Sequence, residues 1–193
     1  FTGDLQADFK GAAVVSYSKQ DDAAVESAVA WDAEALYLGW KVKDNSPWLN
    51  SAAEPDQMYI GGDTVDFQLG TDPAADKSRG TAVAGDLRLS IGSFQGTPTA
   101  VLYRKVSATK KPKIFSSGVV KQYPMDYVEI VAGAKIEVKV DPGKGYVVEA
   151  AIPIEVLGLE RGRALTLRGD FGVTHSDPAG TRTRVVAPVC EPC

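Results

Sequence analysis

The chain has 193 residues, of which 44% are hydrophobic and 24% are charged, and its formal net charge is -4. This composition is too apolar for a disordered chain, and a single domain of this length buries roughly 70% of the surface that its unfolded chain would expose. The negative charge argues against a nucleic-acid partner, and no apolar stretch approaches the roughly 20 residues of a membrane-spanning helix.

Apolar and polar residues alternate with a period of two along most of the chain. Leu36, Leu38 and Trp40 face one way, whereas Tyr37 and Lys41 face the other, which is typical of a half-buried β-strand. In chain order, the predicted strands are residues 12–17, 25–31, 35–42, 64–69, 86–92, 99–104, 135–140, 146–152, 165–174 and 183–186.

Turn residues between these strands indicate how they connect. The sequence DPGKG at residues 141–145 predicts a tight hairpin turn, because Pro and Gly supply the backbone angles that such a turn needs. One short helix is predicted at residues 152–158, which has Pro near its start and Gly at its end. Residues 44–62 and 72–85 form long loops of the kind that often line binding sites.

The sequence therefore predicts an all-β fold, a two-sheet antiparallel β-sandwich of immunoglobulin-like or jelly-roll type with one short helix. Residues 1–193 form a single domain in this prediction. A parallel sheet would need a crossover helix between consecutive strands, and the pattern does not provide one.

Five phrases follow one another along the chain: ALYLGWKVKD at residues 35–44, GDTVDFQL at 62–69, GDLRL at 85–89, GYVVEAAIP at 145–153 and GDFGV at 169–173. In this order they resemble the family 9 carbohydrate-binding modules and the wider group of DOMON-like domains. The resemblance implies a non-catalytic β-sandwich module that binds a glycan and is attached to an exported enzyme or cell-surface protein. It also implies a secreted or periplasmic location, which a start at Phe1 rather than Met favours.

The resemblance also implies a set of ligand-binding residues. Asp66 corresponds to the family's strand carboxylate and Arg88 to its sugar-contacting arginine, and Tyr59 lies near the first of the two clamping aromatics. The second aromatic would fall at residues 185–187, where this chain has none. Trp48 is a further candidate for stacking on a sugar because it lies in a polar loop, whereas Trp40 shares the apolar face of its strand.

A calcium site and a haem site are alternatives that the sequence leaves open. Asp44, Asn45 and Asp63 supply hard oxygen ligands near strand ends, which calcium prefers. Some DOMON-like relatives hold b-type haem in an electron-transfer domain, and the candidate ligands here are Met58, Met125 and His175. A third alternative is a structural docking module without a soluble ligand.

The two cysteines, Cys190 and Cys193, lie close together near the end of the chain. Their spacing is compatible with a tail or local disulfide, a redox pair, or the start of a Cys-x-x-Cys-His haem attachment site. A Ser-His-Asp catalytic set would have to use His175, and its neighbour Ser176 points to the opposite side of a strand. We therefore expect no catalytic residues.

Overall fold

The fold is described by a computed structural model that covers residues 1–19, 23–76, 78–79, 82–105, 113–117, 120–159, 166–176 and 182–186. The strands are β1 (Ala13–Lys19), β2 (Ala23–Trp31), β3 (Ala35–Lys43), β4 (Thr64–Gly70), β5 (Asp86–Phe94), β6 (Thr97–Arg104), β7 (Lys113–Ser117), β8 (Val120–Met125), β9 (Tyr127–Ile130), β10 (Lys135–Asp141), β11 (Gly145–Pro153), β12 (Arg168–Ser176) and β13 (Arg182–Val186). The helices are α1 (Leu5–Asp8) and α2 (Met58–Gly61), with 3₁₀ turns at Pro55–Gln57 and Ile154–Leu157.

Two antiparallel sheets form the sandwich. The first sheet has the order β1-β2-β3-β11-β10, and the second has the order β13-β12-β4-β5-β6-β9. Among the described residues, strands β7 and β8 pair with each other and with no other strand. The predicted all-β sandwich is thus confirmed. Within the described residues, no helix is long and apolar enough to cross a membrane.

The main core lies between the two sheets and is built from apolar residues of their central strands. Leu38 and Trp40 of β3 pack there with Val148 of β11, and Phe67 of β4 and Leu89 of β5 come from the second sheet. Each fully buried side chain of this size contributes roughly 1.5 to 3 kcal/mol to the stability of the fold. Burial of this alternating pattern is what fixes which face of each strand points outward.

The sequence prediction located ten of the strands, each within a few residues of its observed bounds. Three were not predicted: β7, β8 and β9 lack a clear alternation, and β8 includes Pro124, which normally interrupts a strand. The predicted helix is present as the 3₁₀ turn Ile154–Leu157, and Gly158 after it is left-handed. The other helical segments were not predicted, because segments of three or four residues are too short to show a repeating helical pattern.

Two segments cover parts of the outer faces of the sandwich. The N-terminal segment packs Leu5 and Phe9 over Ala28 on the first sheet. Residues 44–62 bring Met58 and Tyr59 of α2 onto the second sheet, where they form a small second core with Tyr103. The outer face of the second sheet is therefore partly closed by its own loop.

Candidate functional site

The outer face of the second sheet displays polar side chains in cross-strand rows. In β4, Val65 and Phe67 point into the core, so that Asp66 and Gln68 point outward. Register places Asp66 opposite Ser90 and Gln68 opposite Arg88 on β5. We call this surface the polar face. Its residues come from β12, β4 and β5, which are neighbours in the sheet.

Asp66 and Arg88, the two polar contacts predicted from the sequence, form an ion pair on the polar face. The guanidinium donates through Nη2 to Asp66 Oδ2 at 2.9 Å and through Nε to Oδ1 at 3.2 Å. Asp66 is 2% exposed, whereas the Arg88 side chain keeps 18% of its surface. Burial alone would lower the pKa of Arg88, but the charge of Asp66 outweighs it and raises that pKa. The ion pair with Asp66 thus holds the guanidinium of Arg88, a charged hydrogen-bond donor, at a fixed position.

Tyr59 is buried, so it does not present the open ring that the resemblance implied. It is only 5% exposed, the Arg88 guanidinium carbon lies 5.5 Å from its ring centroid, and Tyr103 packs edge-on at 6.0 Å. The hydroxyl of Tyr103 donates to the carbonyl of Asp56 at 2.9 Å and helps to hold the loop down. Tyr59 therefore packs against the Arg88 guanidinium on the outer face of the sheet and does not form an open stacking platform.

The three tryptophans differ from one another in exposure. Trp40 is fully buried in the core, as predicted. Trp48 was expected to be exposed, but it is half-buried and its ring centroid lies 4.4 Å from that of Tyr146, because the loop folds back over the end of the sandwich. Trp31, the last residue of β2, is 72% exposed.

Two buried hydroxyls on the polar face were not identified from the sequence. Ser90 lies opposite Asp66, and Thr174 of β12 lies opposite Thr64. Neither hydroxyl has a hydrogen-bond partner within the part of the chain that the structure describes, although both are fully buried. Single Ser and Thr residues in strands give no signal, because only the fold determines that these two are buried beside a charge.

Asp44 and Asp63 lie buried at one end of the sandwich, where the sequence suggested calcium. Asp44 Oδ1 accepts from the backbone N–H and hydroxyl of Ser46, and its Oδ2 accepts from His175 Nδ1 at 2.6 Å. Both oxygens of Asp63 accept from Ser176, at 2.7 and 2.9 Å. Protein donors thus already occupy these carboxylates.

The acidity of the two carboxylates differs. Burial alone would raise the pKa of Asp44, but its hydrogen bonds with His175 and Ser46 hold that pKa below the ordinary value. For Asp63 burial dominates and raises the pKa. Asn45 is exposed, and the described residues contain no group of three or more acidic, His or Cys residues that could hold a metal. The carboxylates as arranged do not fit a calcium ion, and calcium binding stays a prediction.

His175 and Ser176 use separate carboxylates. His175 pairs with Asp44, whereas the Ser176 hydroxyl donates to Asp63 at 2.9 Å. A nucleophile must contact its base to be activated, whereas the Ser176 hydroxyl donates to a carboxylate other than the one that pairs with His175. The geometry thus provides no Ser-His-Asp relay here.

The candidate haem ligands do not share one location. Met58 and Met125 are buried together in the small core beneath the loop. His175 instead pairs with Asp44 at the end of the sandwich. Cys190 and Cys193 lie outside the described residues. Haem ligation by this set stays a prediction that no contact supports.

A shallow cleft opens at the opposite end of the polar face. Its volume is about 180 Å³, and Gly70, Arg79, Thr166 and Arg168 are among the residues that line it. Arg79 forms a two-point ion pair with Asp86, through Nη2 at 2.6 Å and Nε at 3.2 Å. That pair holds one wall of the cleft in place.

Comparison with known proteins shows what fold this is. No protein-family profile matches the sequence, and no curated protein matches it. Among solved structures, the chain is similar to a family 9 carbohydrate-binding module from Caldicellulosiruptor kristjanssonii in complex with cellotriose, with a TM-score of 0.56 and 18% identity over 96% of this chain and 76% of that one. The same kind of module in complex with glucose gives a TM-score of 0.53 and 16% identity over 96% and 78%.

A third similar structure comes from Bacteroides uniformis and is described as a candidate carbohydrate-binding protein. Its TM-score is 0.55, with 11% identity over 96% of this chain and 80% of that one. The chain thus has the fold of the family 9 carbohydrate-binding modules, as its sequence phrases predicted. Identities this low establish the fold alone.

Proposed function

We propose that this chain is a non-catalytic glycan-binding module and that its polar face binds the sugar. The observation that carries the proposal is the Asp66–Arg88 ion pair, which lies on the outer face of a sandwich whose structural neighbours include modules in complex with cellotriose and with glucose. Secretion or periplasmic export and attachment to a larger enzyme or surface protein are parts of the same proposal.

The chemistry of the pair suits a hydroxyl-rich ligand. Arg88 uses Nε and Nη2 on Asp66, and its Nη1 has no partner among the described residues, so this group can donate to a sugar oxygen. A donor that is already fixed by a carboxylate loses little conformational entropy on binding. The buried Asp66 is the anchor, and the partly exposed Arg88 is the contact.

Isothermal titration calorimetry with glucose, mannose and xylose, and with their β-1,4-linked trisaccharides, tests the proposal. We expect the native chain to bind at least one sugar and Arg88→Ala to weaken that binding by roughly tenfold or more, since a hydrogen bond from a charged group contributes about 1.5 to 3 kcal/mol. Lys41→Ala removes an exposed positive charge from the first sheet and should bind like the native chain.

Arg88→Ala leaves Asp66 buried without its cation, which could unfold the protein by itself. The double variant Asp66→Asn and Arg88→Gln keeps a neutral pair of similar size, and circular dichroism reports whether each variant is folded. Undiminished sugar binding by the folded double variant, or no binding of any tested sugar by the native chain, would refute the proposed site.

A further inference from the structure

We propose that the sugar site extends from Arg88 across β4 and β12 to the cleft beside Arg168, so that the module takes an oligosaccharide rather than a single terminal sugar. This inference rests on the proposed glycan-binding function and adds the direction and the length of the site. The residues that it assigns are Gln68, Asp170 and Arg168, together with the glycine at position 70.

A row of three polar side chains crosses neighbouring strands at the exposed part of the polar face. Register places Asp170 of β12 opposite Gln68 of β4, and Gln68 opposite Arg88 of β5. Side chains at such positions are roughly 5 Å apart. The row therefore offers a carboxyl, an amide and a guanidinium in succession, which is a set of acceptors and donors that matches several ring hydroxyls.

The members of this row are available to a ligand. Gln68 is exposed and has no hydrogen-bond partner among the described residues, whereas Asp170 is half-buried. The Asp170 carboxylate accepts from the backbone N–H of Phe171 at 2.9 Å through Oδ1, and its Oδ2 has no hydrogen-bond partner within the described part of the chain. Burial raises the pKa of Asp170, and no cation of the described chain pairs with it.

The next row along the strands leads into the cleft. Register places Arg168 opposite Gly70, and Gly70 opposite Asp86. Two residues along a strand span roughly 7 Å, which is the distance along the strands from the row of Arg88 to the row of Arg168. Gly70 lines the cleft between Arg168 and the Arg79–Asp86 pair, and a Cβ at this position would lie 3.5 Å from Asp86 Oδ1 and 3.6 Å from Arg79 Nη2.

The opposite direction is closed. Beyond Arg88, the polar face passes under α2, where Met58 and Tyr59 pack onto Val101 and Tyr103. Ser90, the next outward residue of β5 in that direction, is fully buried. Among the described residues, the polar face beyond Arg88 is thus covered on the side of α2 and uncovered toward the cleft, and this asymmetry gives the site its direction.

The test compares each monosaccharide of the proposed panel with its trisaccharide by calorimetry. For the native chain we expect the trisaccharide of the preferred sugar to bind roughly tenfold more tightly than the monosaccharide. Arg168→Ala should remove most of that gain, because each lost hydrogen bond weakens binding by roughly three- to tenfold. The same variant should change monosaccharide binding by less than about twofold, since the proposed monosaccharide contact is Arg88. Gln68→Ala should weaken both ligands.

Control variants and outcomes separate this inference from the proposed function. The two control variants are at exposed positions on or beside the first sheet. Lys41→Ala removes one positive charge, as Arg168→Ala does, and Gln6→Ala removes one amide, as Gln68→Ala does. Equal affinity for monosaccharide and trisaccharide, or an Arg168→Ala variant with an unchanged ratio, overturns the extended site and leaves glycan binding intact. No binding of any sugar overturns both.

Discussion

At the scale of single residues, burial separates side chains that the sequence presents as equals. Trp31 and Trp40 both lie in strands and point to the same side of the first sheet, but Trp31 lies at the end of β2, beyond the reach of the second sheet. Asp32 at that hairpin accepts from the backbone N–H groups of Glu34 and Ala35 and from the Tyr37 hydroxyl. The turn is therefore held without help from the Trp31 indole.

This difference predicts opposite effects on stability. Trp40→Ala should lower the free energy of unfolding by about 3 to 5 kcal/mol, because it leaves a cavity in the core. Trp31→Ala should change it by no more than about 0.5 kcal/mol, since little of its surface is buried. Urea denaturation of both variants provides the measurement. A large loss of stability in Trp31→Ala would show that its indole packs in solution.

At the scale of elements, the β10–β11 hairpin is where local sequence chemistry determines structure most directly. Gly143 and Gly145 both have positive φ angles, +76° and +146°. A Cβ at Gly143 would meet no atom within 4 Å, whereas a Cβ at Gly145 would collide with the backbone carbonyl of Val42 on β3. Gly143 is thus needed for its backbone conformation alone, whereas Gly145 is also needed for the close approach of Val42.

Alanine at each position tests this difference. Gly143→Ala should cost about 1 kcal/mol, which is the strain of a left-handed backbone with a side chain. Gly145→Ala should cost about 3 kcal/mol, because the hairpin and β3 must also move apart. Thermal denaturation of the two variants measures the losses, and equal losses would contradict the close approach to Val42.

The loop of residues 44–62 is the element that changes the site most. It carries Trp48 back over Tyr146 and brings α2 onto the polar face. The sequence indicated a long loop at residues 44–62, and the structure places this loop over part of the polar face. Its packing could not be predicted, because it depends on Tyr103 and Met125, which lie on distant parts of the chain.

At the scale of the whole molecule, the N-terminal segment brings the carboxyl group of Asp8 close to that of Glu149 on the first sheet. Glu149 of β11 is fully buried under that segment, and its Oε2 accepts from the backbone N–H of Gly3 at 2.7 Å. Its Oε1 has no partner among the described residues. Burial and the neighbouring Asp8 raise the pKa of Glu149.

This raised pKa predicts how global stability depends on pH. The folded state holds the Glu149 proton more tightly than the unfolded chain, so its contribution is fully present below about pH 4 and is lost as the pH rises through the folded-state pKa. Glu149→Gln should therefore stabilise the protein at pH 7 by on the order of 1 kcal/mol, because the amide can donate to Asp8.

Chemical denaturation of the native chain and Glu149→Gln between pH 3 and pH 8 measures this effect. The two stabilities should converge at the acid end and separate toward neutral pH. Asp141→Asn, at an exposed carboxylate, serves as the control and should not follow this trend. Equal stability of the native chain and Glu149→Gln at every pH would contradict the prediction.

The sequence by itself determined the all-β sandwich, ten of its strands, the hairpin at residues 141–145 and the pairing candidates Asp66 and Arg88. These follow from periodicity, turn chemistry and family-like phrases, which are local properties of the chain. Only the tertiary structure decided that Tyr59 and Trp48 are covered, that Trp31 is exposed, and that Asp170 and Gln68 align with Arg88. Burial and register arise from contacts between strands that are far apart in sequence, and such contacts leave no local pattern.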